Sequence, residues 1–397
     1  MKHRKESTAR RSRQRRAATP TLLSRMGLSL DVKRQRAKQE AIAKKKRATN
    51  MEARQTKKPL SKSPRSRMLA IAALKATRQR WAAIAEETRR IVTGDGTLQS
   101  FSVQLSVQST TFYPHHSGSL AQWAATSRRA SAATGATTID FLHCSTLTAA
   151  RLSAPTSTQP VAGSSKLGVL SFASPKKPGG GYLHGGDEQE EVIARLSSLV
   201  ASLNSPAARG FYEEHKKYRT EDGSGLHDHS MVYSPGVVVF RADADDDVYS
   251  APDDAVGGAF ISPYTVDVLS AVPVNAAAVR SKHTILPSER QFFEDGIRQV
   301  AKERMARALR VFEERGDRTL ILGAFGCSSS ENNVETIAAI WAELLVCGDG
   351  SEVGEARFKD VFDRVVFAVP GKRFAQFKDA FEMRVFEDEV AKAALSD

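Results

Sequence analysis

The amino-acid sequence predicts an α/β protein of three layers, with helices covering both faces of a central sheet. Two observations carry this reading. From residue 138 onward, short apolar runs alternate with segments whose apolar residues recur at helical spacing. The runs, such as 167–172 and 364–369, are apolar at most positions rather than at every second one, as strands covered on both faces require.

Taken in order, the chain opens on a basic segment. Residues 1–68 hold 23 Lys and Arg against four acids, a net of +19, which leaves −6 for residues 69–397. The formal +13 of the whole chain is therefore a property of the segment and not of the body. Residues 1–64 alternate basic clusters with Ser, Thr, Gln and Ala. Too little apolar surface is available to offset the entropy of ordering them, so a disordered tail is expected, with transient helix over 30–56. Clusters such as Arg15-Arg16 and Lys44-Lys45-Lys46-Arg47 fit an import receptor or a nucleic acid, and hence residence in the nucleus or cytoplasm. The scarcity of acids before Asp31 also fits a presequence for the mitochondrial matrix.

A helix is expected over 67–93, followed by a polar stretch to Thr137 of part strand, part loop. Strands are expected at 138–142, 167–172, 236–241, 265–270, 318–322 and 364–369. Helices are expected at 145–152, 189–203, 288–315, 333–346 and 373–384. No apolar run approaches the ~20 residues of a membrane span. Cys144, Cys327 and Cys347 lack paired spacing, so no zinc site and no disulfide framework is expected.

The chemistry concentrates in Pro178-Gly179-Gly180-Gly181, followed after seven residues by Gln189-Glu190-Glu191. Three glycines after a buried strand let the backbone approach a ligand closely and take φ > 0. Amides beyond them, with a helix N-terminus, suit an anion. Adjacent carboxylates at a first turn can do no more than complement the helix dipole. Next to a phosphate-cradling loop they also suit cleavage of a phosphorylated glycosidic ligand.

Other signals are weaker. His227-Asp228-His229 reads as a surface loop, Asp243, Asp245 and Asp247 as an acidic exposed loop, and His115-His116 as solvent-facing. No metal and no cofactor is expected. Cys327 reads as a packed thiol.

The GGG-x7-QEE pattern resembles the signature of poly(ADP-ribose) glycohydrolases of the bacterial and fungal type. Phe141-Leu142-His143-Cys144-Ser145-Thr146 resembles that family's strand-to-helix opening, and Ser171-Phe172-Ala173-Ser174 its approach to the glycines. Tyr233-Ser234-Pro235-Gly236-Val237 resembles the strand after the catalytic helix, Leu322-Gly323-Ala324-Phe325-Gly326-Cys327 the second phosphate loop, and Val365-Val366-Phe367 the closing strand. The resemblance covers about 67–385. It implies a macrodomain-like mixed sheet over 65–397, with its core about 136–385, and a monomeric enzyme acting on the ends of poly(ADP-ribose), including chains carried by ADP-ribosylated proteins.

By the same resemblance, Glu191 is the catalytic carboxylate, its pKa brought near neutrality by burial beside Glu190. Glu190 holds a ribose hydroxyl, and Gln189 orients the pair or contacts the sugar. Gly179, Gly180 and Gly181 lie against diphosphate and ribose, while Gly323, Ala324, Phe325, Gly326 and Cys327 wrap the diphosphate. Where the family carries an aromatic that stacks on adenine, this chain has Ser328, Ser329 and Ser330, with Phe325 as a partial substitute. Lys177, Ser171 and His184 also depart from the family's usual Asn. The alternative on the same fold is a non-catalytic ADP-ribose reader with a nucleic-acid-binding tail.

Overall fold

The structure, a computed structural model, describes residues 64–94, 97–98, 101–125, 135–154, 166–221, 223–246, 256–282, 284–348 and 355–395. The expected disordered tail over 1–64 and the transient helix within it fall outside those residues, apart from Pro64. The chain divides into two units, Met1–Ile71 and Ala72–Asp397. Of the first, only the opening turns of one helix are described.

A seven-stranded sheet forms the middle layer. Its strands are β1 (Thr111–Tyr113), β2 (Thr138–Leu142), β3 (Lys166–Phe172), β4 (Met231–Arg241), β5 (Phe260–Ala271), β6 (Asp317–Leu322) and β7 (Arg364–Ala368). In space they run β1-β4-β5-β3-β6-β7-β2. The five from β5 to β2 are parallel, while β4 runs antiparallel to both β5 and β1. The mixed sheet expected from the family resemblance is present.

The two-sided covering that the apolar runs imply is visible residue by residue. Leu170, Leu320, Val365 and Phe367 face one core, beneath α7 (Arg290–Arg315), α8 (Val334–Ala342) and α9 (Arg373–Leu395). Val169, Ile321 and Val366 face the other, beneath α2 (Thr146–Ser153), α3 (Gln189–Leu196), α4 (Leu199–Leu203) and α5 (Arg209–Glu221). Contact across the first core is close at Gly168, where an added Cβ would lie 2.8 Å from the Phe312 ring of α7.

The structure departs from expectation in several places. The helix expected over 189–203 breaks at Ser197 and Ser198. Ser197 takes extended backbone and bridges Val239, while the Ser198 hydroxyl accepts from Val238 N at 2.9 Å. Local hydroxyl bonding to the sheet outcompetes the helix there. Helices α5 and α6 (Ala276–Lys282) were not expected. Strand β4 begins five residues before the expected 236, passing through Gly236 at φ 64° with a register shift between Ser234 and Val237.

Helix α1 (Pro64–Val92) packs its second half against the body: Trp81 Nε1 donates to Val256 O at 2.9 Å, and Thr88 Oγ1 to Arg195 O at 2.7 Å.

Candidate active site

Five loops leave the carboxyl ends of the parallel strands, the place where α/β sheets bind ligands. Residues 173–181 follow β3, 323–330 follow β6, 272–275 follow β5, 143–147 follow β2 and 369–373 follow β7. Between them lie two clefts. The larger, about 570 Å³, contains Gly180, Gly181, Glu190, Glu191 and Gly326. The smaller, about 210 Å³, contains Thr146, Gln189, Ala324 and Cys327. Phe172, Glu188 and Ser328 line both, so the two are neighbours.

Gln189 is tied to its neighbours on three sides. Its Oε1 accepts from Phe172 N at 2.7 Å, and its Nε2 donates to Leu170 O at 2.9 Å and Thr146 Oγ1 at 3.1 Å. It borders the smaller cleft while bolting the start of α3 to the end of β3, which fixes the two acids that follow.

Glu190 is 2% exposed. Its Oε2 accepts from Ser174 N at 2.7 Å, while Oε1 is buried without a partner. Burial pushes its carboxyl up to about 8, against the opposing pull of the Ser174 and Gly179 amides and with a smaller upward push from Glu191. The strong burial expected at Glu191 thus falls on its neighbour.

Glu191 is only half-buried and is held by backbone. Its Oε1 accepts from Gly181 N at 2.6 Å and its Oε2 from Glu188 N at 3.0 Å, completing a capping box with Glu188. The glycines around it are a steric requirement: a Cβ at Gly181 would stand 2.8 Å from Oε1, and one at Gly186 2.1 Å from Oε2. Gly186 is in turn gripped by Arg195, whose Nη1 donates to its carbonyl at 2.8 Å and whose guanidinium lies over Trp81 at 4.9 Å. Sequence reading did not single out Arg195 or Trp81. Their link to Gly186 exists only in three dimensions.

The remaining expected residues separate into two kinds. Gly180 and Gly181 border the larger cleft, with Gly180 at φ 55°. Gly179, at φ 68°, is packed among Tyr182, Val200 and Ala194 behind them. In the second loop, Gly326 at φ 70° and the cleft-lining Ala324 and Cys327 face the clefts. Gly323 lies behind, its carbonyl accepting from Trp341 Nε1 at 3.0 Å. The Phe325 side chain is 2% exposed and meets Phe172 edge-on at 5.3 Å. It therefore supports the ring that lines both clefts and offers no face to a ligand, so it does not replace the aromatic absent at 328–330. Burial pushes the Cys327 thiol up to about 12, which suits a packed thiol.

Two loops set aside in the sequence are structural. Asp228 is buried, with Oδ2 2.7 Å from His115 Nδ1 and Oδ1 accepting from Ser230 N at 2.6 Å. His227-Asp228-His229 is therefore not a surface loop, and His115 is engaged rather than solvent-facing. Asp245 accepts from Ser145 N at 2.5 Å and Thr148 Oγ1 at 2.7 Å at the start of α2, and buried Asp246 pairs with Arg151. Asp245 is exposed as expected yet also anchors the start of α2, Asp243 is half-buried, and Asp247 lies outside the described residues. Among the described residues no group of His, Cys, Asp or Glu is arranged for a metal, and no helix is long and apolar enough to cross a membrane.

The chemistry open to this arrangement is narrow. Amide-bearing loops suit a diphosphate, and a buried acid with a raised pKa beside a second carboxyl group suits work on a sugar hydroxyl and its glycosidic oxygen. The class so defined is a macrodomain-type glycoside hydrolase.

Residues 84–242 match the family described as microbial-type PARG, catalytic domain. Among solved structures, the poly(ADP-ribose) glycohydrolase of Thermomonospora curvata is 30% identical over 77% of this chain and 99% of its own, with a TM-score of 0.59. The same enzyme bound to the inhibitor ADP-HPD aligns at 31% identity over 77% of this chain and 99% of its own, with a TM-score of 0.56. The Deinococcus radiodurans enzyme in complex with ADP-ribose is 27% identical over 73% of this chain and 98% of its own, with a TM-score of 0.56. Comparison with curated proteins finds no significant match. With that coverage and identity, the chain belongs to the poly(ADP-ribose) glycohydrolase family, in its microbial type.

Proposed function

We propose that this hydrolase cleaves the ribose–ribose O-glycosidic bond at the end of poly(ADP-ribose), releasing ADP-ribose, with Glu191 as general acid and then general base. The observation that carries the assignment is the cradle of Glu191. A half-buried carboxyl group, held by two backbone amides and walled by three glycines, lines the larger cleft. It would protonate the leaving ribose oxygen as the bond breaks and then take a proton from the attacking water.

The same features suggest a path for the terminal unit. Its distal ribose would lie against Gly180, Gly181 and the acid pair, with its diphosphate along 326–328 where the clefts adjoin. Its adenosine would enter the smaller cleft between Val192, Ala324 and Pro370. At neutral pH Glu190, still protonated, would use its unpartnered Oε1 to bond a ribose hydroxyl. ADP-ribosylated proteins are the carriers of substrate on this reading.

One observation favours a second division of labour: it is Glu190 whose carboxyl is raised, as a general acid's should be. Release of free ADP-ribose from purified poly(ADP-ribose) by wild type and by Glu191→Gln tests the primary reading. A fall of about 10²–10⁴-fold in kcat, with ADP-ribose binding retained, is expected. Near-normal release by Glu191→Gln would sink the assignment.

A further inference from the structure

We propose that Arg195 is a positioning residue for Glu191, acting through the backbone of Gly186 and held in place by Trp81 of α1. This deepens the glycohydrolase reading and rests on it. Arg195 follows Glu191 by four residues on α3, so the two side chains start from one face of the helix. A cation in a last turn can answer the helix's own last carbonyls. Arg195 instead reaches back along α3 to the Gly186 carbonyl, ahead of the helix's first residue.

That reach is costly. Arg195 is 3% exposed and lines neither cleft. Desolvation lowers its pKa, against the upward pulls of the Asp243, Glu191 and Asp187 carboxylates. Arg304, buried as deeply, is committed to the fold. It donates to the carbonyls of Leu226 and His227 at 2.9 Å each and to Val272 O at 3.0 Å. Among the described residues Arg195 has one such partner, Gly186 O. A buried cation so thinly compensated is a weak stabiliser of a fold. What it does is fix the residue against which Glu191 rests.

Gly186 is held on three sides. Arg195 takes its carbonyl, its amide donates to Gly181 O at 3.3 Å, and its Cα closes on the Glu191 carboxyl group. Arg195 is held in its turn by one face of α1. The Trp81 ring lies against the guanidinium, with Nε1 tied to Val256 O, and Thr88 Oγ1 donates to the Arg195 carbonyl. Between these two, Ala85 is fully buried and packs with Tyr182 and Ala194. One turn before Trp81, the Arg78 carbonyl lies so close to Gly185 that a Cβ there would come within 2.1 Å of its oxygen. Helix α1 therefore braces both Arg195 and the loop that carries Gly186, from behind the cleft.

Steady-state release of ADP-ribose from purified poly(ADP-ribose) by the full-length protein, with a melting curve for each variant, tests the assignment. Arg195→Met fills the same space without the donor, so kcat should fall about 30-fold while KM stays within about twofold. Arg195→Lys returns a donor to Gly186 O and should recover most of the loss. In a Glu191→Gln background Arg195→Met should cost less than about twofold, because no carboxylate is left to position. Trp81→Leu should lower kcat about fivefold at unchanged KM, whereas Trp81→Phe, which keeps a ring against the cation, should stay near wild type. Wild-type kcat in Arg195→Met, with only the melting temperature lowered, would overturn the proposal and leave Arg195 a structural bolt. So would an undiminished loss in the Glu191→Gln background, since Arg195 would then act on another group. Should Arg195→Met not fold, equal kcat in Trp81→Leu and Trp81→Phe overturns the proposal and unequal kcat supports it. Failure of the glycohydrolase reading shows separately, as no release by wild type, and takes this inference with it.

Discussion

Two pairs of acids stand at opposite ends of the same sheet. At the carboxyl ends of the parallel strands are Glu190 and Glu191. Level with the amino ends of β3 and β6 are Asp267 of β5 and Asp317, the first residue of β6. In each pair burial pushes one member, Glu190 or Asp317, up to about 8, with its companion acid adding to the shift. The size of the shift therefore does not separate a working acid from a structural one. Hydrogen bonding does. Tyr233 OH reaches Asp267 Oδ2 at 2.8 Å and Asp317 Oδ2 at 3.0 Å, and Asp267 Oδ1 accepts from Gly236 N at 2.7 Å. The aspartates are closed in by the fold, whereas Glu190 keeps one oxygen unpartnered beside a cleft and Glu191 lies beside it, cradled by glycines.

The largest effect short of removing Glu191 is expected from Gly186→Ala. The added methyl would fall 2.1 Å from Glu191 Oε2, the far end of a flexible side chain, so the carboxylate swings away and the backbone remains. Displacing a catalytic group by about 1 Å costs on the order of 100-fold in kcat, with the melting temperature nearly unchanged. Gly168→Ala is the counterpart in the core. Its methyl would meet the Phe312 ring at 2.8 Å and Leu320 at 2.9 Å, so stability falls by roughly 1–3 kcal/mol while kcat holds. Loss of kcat in the second variant rather than the first would reverse the comparison.

A smaller effect, and a sharper one, comes from Glu190→Gln. The amide keeps an acceptor for Ser174 N and places a donor where the protonated acid has one. If Glu190 serves as a neutral donor to a ribose hydroxyl, the variant should lose only about tenfold in kcat/KM. Wild type should weaken in substrate binding as pH rises through about 8 and Glu190 ionises, and the variant should not. A collapse of kcat comparable to that of Glu191→Gln would instead make Glu190 the acid. The pH profiles of kcat and KM for both variants decide between them.

The sequence made the core strands and the acid motif legible for the same reason: both are local. A strand covered on both faces is a contiguous apolar run, and a loop that must clear Glu191 is a contiguous run of glycines. Helix α5 was hidden because its burial is confined to a narrow stripe, Phe211 and His215 fully buried amid Glu213, Glu214, Lys216 and Lys217. Which glutamate is buried could not be read from adjacent letters, since it depends on Ser174 folding over Glu190 from 16 residues away. The grip of Arg195 on Gly186 and of Arg304 on His227 likewise joins residues whose types carry no mark of the task. The anchoring role of Asp245 was hidden because its partners, Ser145 and Thr148, lie about 100 residues earlier.

The smallest effect is expected at the closed pair, and it concerns stability alone. Asp317 titrates at about 8 in the folded protein against an ordinary value of 3.8, so the native state holds a proton that the unfolded chain gives up. Stability linked to that proton is fully present below about 3.8, falls as pH rises, and is lost once pH passes about 8. Asp317→Asn removes the titration and leaves an amide that can donate to Asp267. The variant should therefore melt a few degrees above wild type at pH 8.5, with the difference narrowing toward pH 5. Its release of ADP-ribose should match wild type at every pH, since nothing at the amino end of β6 touches the cleft. Melting curves from pH 5 to pH 9, paired with the release assay, read both halves of the statement. An activity change without a stability change would mean that the two ends of the sheet are coupled, and that the closed pair is more than a structural clasp.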